Sequence, residues 1–143
     1  LVRHAEKDTS KTADTRDPEL NDAGRQRAEK LKEALRKYKP DQIFSTNTRR
    51  TRTTAMPTAW QLYPDYRLQI QLYDSDKLEA FAERLRSMRG GAIVVVGHSN
   101  TTPTLVNLLL KKEKYKWLAD NEHDKIFVVK VRRKKTREQM ISY

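Results

Sequence analysis

Cysteine is absent from this 143-residue chain, which excludes disulfides, thiolate metal sites and a cysteine nucleophile. The absence fits a reducing or an oxidising compartment equally. Glycine (4) and proline (5) are scarce, so no collagen-like or low-complexity stretch exists, and no internal repeat is visible. No apolar run approaches the length a membrane span needs. Histidine numbers three, and two of the three stand in unusual places.

What is present describes one domain, residues 1–143, large enough to bury a proper core. The chain begins on Leu1-Val2, which reads as the interior of a strand, so further N-terminal residues are expected ahead of it. A leader or anchor could lie among them. Lys and Arg total 30 against 19 acids, a net charge of +11 that favours anionic partners. Much of the excess is local, in Lys111-Lys112, Lys114, Lys116 and Arg132-Arg133-Lys134-Lys135, runs that read first as solvated turn and helix end. Nucleic acid is disfavoured as partner. The aromatics near these runs are Tyr115, Trp117 and Tyr143, which make no stacking platform.

Strand and helix patterns alternate along the chain. Strands are expected at Leu1–His4, Gln42–Ser45, Leu68–Leu72 (period two, one buried face), Ala92–Val96 and Ile126–Val131, with Arg137–Tyr143 returning antiparallel to the last. Ala92–Val96 lacks alternation and should be central. Helices are expected from an Asn21 or Asp22 cap to about Tyr38 and from Thr48 with a kink at Pro57. A third should run from Ser75 or Asp76 to Gly90-Gly91, and a fourth from Thr101, with Thr101 and Thr102 as caps and Pro103 in its first turn. This pattern predicts a three-layer α/β/α sandwich around a mostly parallel sheet with an antiparallel edge strand.

Such a sheet collects the residues that follow its strands along one edge, where ligands bind. His4, Ser45, Asp74 and His98 each follow a different predicted strand. Two strand-end histidines, one beside Arg3, suggest phosphate chemistry. His123, in Asp120-Asn121-Glu122-His123-Asp124, reads as surface. Metal spacing of the His-x-His or His-x-x-x-His kind is missing, and Arg3 would repel a cation, so neither metal nor cofactor is expected. Ser45 and Ser99 lack a Gly-x-Ser-x-Gly elbow and read as partners of loop backbone or phosphate.

Four blocks in order carry a resemblance: Leu1-Val2-Arg3-His4-Ala5-Glu6, Leu20-Asn21-Asp22-Ala23-Gly24 with Ala28, Ser45 through Thr54-Ala55, and Val96-Gly97-His98-Ser99. Together they resemble the histidine phosphatase, or phosphoglycerate-mutase-like, superfamily, in its compact branch that includes bacterial phosphohistidine phosphatases. The resemblance implies His4 as nucleophile, with Arg3, Arg50 and His98 around the phosphate. Arg50 is preferred to Arg49, because the helix carrying Thr54 is a stiffer ruler than the loop before it. It further implies a proton donor after the third strand, Asp74, with Asp76 the competitor and Glu6 a support in the first loop.

A neutral imidazole can attack phosphorus and form a phosphohistidine for water to hydrolyse, and guanidinium forks can hold the developing charge. The expected partners are a phosphorylated small molecule or phosphoprotein, with inorganic phosphate in the pocket. The resemblance leaves open a bacterial cytoplasm or periplasm. Mutases of this superfamily carry a long insertion after the acid, whereas Asp74 to Gly97 has room for one helix and one strand. Hydrolysis is therefore expected over phosphoglycerate mutase chemistry. A catalytically weak basic module binding anions or nucleic acid is the alternative from another class.

Overall fold

The computed structural model describes residues 1–143. In chain order the elements are β1 (Val2–Arg3), α1 (Asp22–Leu35), β2 (Gln42–Ser45), α2 (Arg49–Gln61), β3 (Ile70–Leu72), α3 (Leu78–Ser87), β4 (Ile93–Gly97), α4 (Thr101–Leu110), β5 (Lys125–Val131) and β6 (Thr136–Ser142). They form one six-stranded sheet in the order β3-β2-β4-β1-β5-β6. β1, β2, β3 and β4 are parallel neighbours, while β5 pairs antiparallel with β1 on one side and β6 on the other. The expected antiparallel hairpin is there. The strand that runs against the rest is β5, one position in from the edge.

The layers follow from side-chain alternation along the two central strands. Ile43, Val94 and Val96 face Leu31 and Leu35 of α1 and Ala55 and Ala59 of α2. Phe44 and Val95 face the opposite way, onto Phe81 and Ala82 of α3 and Leu105 and Leu109 of α4. An apolar run without alternation is what a strand covered on both faces requires, and β4 meets that description between β2 and β1. Truncating a fully buried ring such as Phe44 to Ala would cost ~3–5 kcal/mol.

Local hydrogen bonding sets where the helices start. Asn21 caps α1, its side chain accepting from Gly24 N at 2.8 Å. A Cβ at Gly24 would stand 2.2 Å from the Glu6 carbonyl oxygen, so glycine lets α1 press against the loop after β1. The second helix starts where expected, and Thr48 caps it, accepting from Thr51 N. Two caps differ from expectation. Asn100, rather than Thr101, caps α4, because its amide oxygen reaches the Thr101 N–H at 2.9 Å. At α3 the cap position is Lys77 with no side-chain bond, and neither Ser75 nor Asp76 caps it. Instead Asp74 closes the turn, taking the Asp76 N–H on Oδ1 and the Lys77 N–H on its carbonyl. The third strand is also shorter than expected, and Leu72 at its end is 51% exposed, with β3 lying at the sheet edge. No helix is long and apolar enough to cross a membrane.

Candidate active site

β1 and β4 deliver two imidazoles side by side. Arg3 pairs with Gly97, the His4 N–H continues the ladder to the Gly97 carbonyl at 2.9 Å, and the chain then leaves the sheet at both places. Gly97 is needed because a Cβ there would meet the Tyr73 hydroxyl at 2.7 Å and Thr102 Oγ1 at 2.9 Å. The His4 and His98 rings lie edge to face with centroids 5.6 Å apart. His4 is buried, and its Nδ1 lies 2.8 Å from the Ala5 carbonyl. A carbonyl only accepts, so Nδ1 carries the proton, and Nε2, which makes no protein hydrogen bond, keeps its lone pair.

The backbone around His4 is held from several sides. Ala5 N donates to Thr54 Oγ1 at 2.9 Å, and Thr54 in turn donates to the Arg50 carbonyl at 2.7 Å. The His98 N–H is held by Thr101 Oγ1 at 3.0 Å, and Thr102 Oγ1 ties α4 to the Val2 carbonyl at 3.1 Å. The two threonines expected as caps thus act as braces between α4 and the strand ends. Ser45, as expected, satisfies loop backbone, donating to the Thr46 carbonyl at 2.9 Å.

Two guanidinium groups join the imidazoles. Arg50 Nη2 lies 3.4 Å from His98 Nδ1, which must accept, so His98 donates through Nε2 to Thr46 Oγ1 at 2.8 Å. Arg3 is almost fully buried, with Nη1 donating to the carbonyls of Ala119, Asp120 and Glu122 at 2.9, 3.1 and 3.0 Å. Arg3 Nε and Arg50 Nε are buried donors with no partner in the protein. Buried donors are rarely left so, since each loses its bonds to water on folding. Arg49 turns elsewhere: its guanidinium holds Glu19 at 2.6 Å and is about half exposed. Of the two neighbouring arginines, only Arg50 reaches the imidazoles.

The field of this cluster is cationic. Burial, then Arg50, Arg3 and His98, lower the His4 pKa to about 3, against the bond to Ala5. Burial, then Arg50 and Arg3, lower that of His98 to about 4. Both rings are therefore neutral at ordinary pH, inside a frame that repels further positive charge.

Asp74 stands at the mouth. It is exposed and lines a hollow of about 510 Å³ with Thr46, Asn47, Thr48, Leu72, Tyr73, Ser75 and His98. Asp76 does not line it. Glu6 is engaged by Arg27, whose Nε lies 2.8 and 2.9 Å from its two oxygens, so it braces the first loop. A second hollow, of about 420 Å³, lies at the opposite end of the sheet among Leu1, Ile93, Val95, Val129 and other apolar groups, away from every histidine.

The sequence reading of His123 as surface is overturned. Its ring centroid is 5.9 Å from that of His4, and its Nδ1 lies 3.0 Å from the His4 carbonyl. Topology held the signal. Val2 pairs with Ile126 in antiparallel register, so the two residues ahead of β5, Asp124 and His123, must arrive beside His4 and Ala5, which follow β1.

A three-layer α/β domain whose strand ends gather imidazoles and guanidinium groups defines a protein built to handle an oxyanion. The sequence comparison makes this specific. The profile of the histidine phosphatase superfamily (branch 1) matches residues 1–75, more than half of the chain, and the protein belongs to that superfamily. No curated protein sequence matches it.

Solved structures share the fold. A protein assigned as phosphohistidine phosphatase SixA from Agrobacterium tumefaciens is 20% identical with TM-score 0.69, covering 100% of this chain and 96% of that one. One assigned as an α-ribazole-5′-P phosphatase from Escherichia coli K-12 is 14% identical with TM-score 0.72, covering 100% and 94%. The phosphoserine phosphatase of Entamoeba histolytica, solved with 3-phosphoglyceric acid, is 18% identical with TM-score 0.63, covering 90% and 88%.

Proposed function

We propose that this protein is a phosphatase that hydrolyses a phosphomonoester or a phosphohistidine through a covalent intermediate on His4, without a metal ion. One observation carries the reading: Arg3 Nε and Arg50 Nε are buried donors without protein partners, beside an imidazole whose free lone pair is on Nε2. A tetrahedral dianion bound beside His4 would offer oxygens to both guanidinium groups, which supports attack by that nitrogen.

The chemistry is two displacements. His4 Nε2 attacks phosphorus, and the bond to the leaving oxygen or nitrogen breaks as the N–P bond forms. Charge on the equatorial oxygens is met by Arg3 and Arg50, and by His98 as its Nε2–H turns from Thr46 Oγ1 to the phosphate. Asp74 gives the leaving alkoxide its proton; a phosphoramidate has a better leaving group and depends on it less. Water then attacks the phosphohistidine, the N–P bond breaks, and inorganic phosphate departs. Between Asp74 and Gly97 the chain builds only α3 and β4, so no insertion there covers the hollow and water reaches the intermediate. This favours hydrolysis over mutase transfer. The relatives' names cite phosphohistidine, phosphoserine and a ribazole phosphate. The phosphoryl group is what they share, so the substrate is a phosphorylated small molecule or phosphoprotein.

The basic turn Arg132–Lys135 follows β5, whose C-terminal end lies away from the histidines, so the +11 charge is not the site. The test is a panel of phosphomonoesters and a phosphohistidine peptide assayed with EDTA present. His4→Ala should lose at least about a thousandfold in kcat while staying folded. Joint replacement Lys134→Ala and Lys135→Ala should leave turnover unchanged. Full activity of His4→Ala refutes the proposal.

A further inference from the structure

We propose that His123 is a positioning residue for the nucleophile, acting through the His4 main chain; this rests on the phospho-His4 reading above. The segment just ahead of β5 does two things at once. The carbonyls of Ala119, Asp120 and Glu122 take the Arg3 Nη1 group, and His123 Nδ1 donates to the His4 carbonyl at 3.0 Å. The segment is braced internally, with Glu122 N to the Ala119 carbonyl at 2.9 Å and Ala119 N to Glu122 Oε1 at 3.0 Å. Leu118 N anchors it to the Ser99 carbonyl at 2.9 Å, next to His98.

The consequence for His4 is specific. Its N–H is held by Gly97, and the next peptide N–H, that of Ala5, by Thr54. The carbonyl between them has His123 as its partner. That carbonyl belongs to the peptide joining His4 to Ala5, and the Ala5 carbonyl in turn fixes the His4 ring at Nδ1. Rotation of the His4–Ala5 peptide would carry the ring's anchor with it and turn Nε2 off the line of attack. A nucleophile misplaced by about 1 Å can cost of the order of a hundredfold in rate.

Three variants test this on the full chain. His123→Phe keeps a ring and removes the donor; it should lower kcat about tenfold or more with KM within about twofold. His123→Asn places an amide N–H where Nδ1 stands and should recover kcat to within about threefold of wild type. His4→Ala, run beside them, reads the chemistry itself. Loss of activity there with unchanged kcat in His123→Phe overturns the positioning role alone; full activity in His4→Ala overturns both. Equal slowing by Phe and Asn at equal melting temperature also overturns it, since only packing would then matter. Should His123→Phe not fold, a long-range ¹H–¹⁵N spectrum of the wild type decides. His123 should show the Nδ1–H tautomer, whereas the Nε2–H form typical of free imidazole contradicts the bond.

Discussion

The two ends of the sheet have been put to opposite uses. At the carboxyl end of the parallel strands, three imidazoles and two guanidinium groups crowd together, with two buried donors lacking protein partners. At the other end a hollow of about 420 Å³ is lined by Leu1, Ile93, Val95, Val129 and their apolar neighbours. Apolar lining would select the second end as a ligand site. Chemistry selects the first, because buried donors without partners and neutral imidazoles in a cationic frame destabilise the fold unless a ligand uses them. Unpartnered guanidinium donors among neutral imidazoles, rather than apolar lining, mark the site.

Adjacent arginines offer the sharpest way to break this contrast. Arg50→Ala should lower kcat/KM by about 10²–10³, because it removes a donor that strengthens as charge develops on phosphorus. Arg49→Ala, which loses only its exposed pair with Glu19, should change kcat/KM by less than about fivefold. Equal effects would show that the orphaned guanidinium has no special role.

Asp74→Asn should slow hydrolysis of a phosphomonoester with a poor leaving group by ~10–100-fold and spare a phosphoramidate, while Asp76→Asn leaves both unchanged. A uniform loss on both substrates would remove Asp74 as proton donor.

Acid stability gives a smaller effect of definite sign. An unfolded histidine titrates near 6.5, whereas folded His4 and His98 are lowered to about 3 and about 4. Between those values the unfolded chain binds more protons, so stability falls as pH falls from about 6.5, to about 4 for His98 and about 3 for His4. Thermal melts should show Tm declining across that window, less steeply in His98→Gln. A decline of the same steepness in that variant would show that the buried rings do not cause it.

Much of this was readable in the chain for physical reasons. Ile93–Gly97 is apolar without alternation because both faces are covered, which placed β4 in the sheet interior and His98 at its end. Arg50 was separable from Arg49 because a helix holds register: Thr54, one turn on, bonds back to the Arg50 carbonyl and also to Ala5. His123 was hidden because its partner lies 119 residues away and its own neighbours are polar. Only the pairing of β5 with β1 brings it in. The α4 cap was misplaced by one residue because Asn100 and Thr101 are both good caps, and His98 claims the threonine hydroxyl.

The central claim is that phosphate passes through a covalent bond to one imidazole. Brief incubation with a radiolabelled phosphosubstrate, quenched at alkaline pH to spare phosphohistidine, followed by peptide mapping, measures it directly. The label should reside on His4 and be absent from His4→Ala. Label on a serine, or steady turnover with no label on any histidine, would contradict the account.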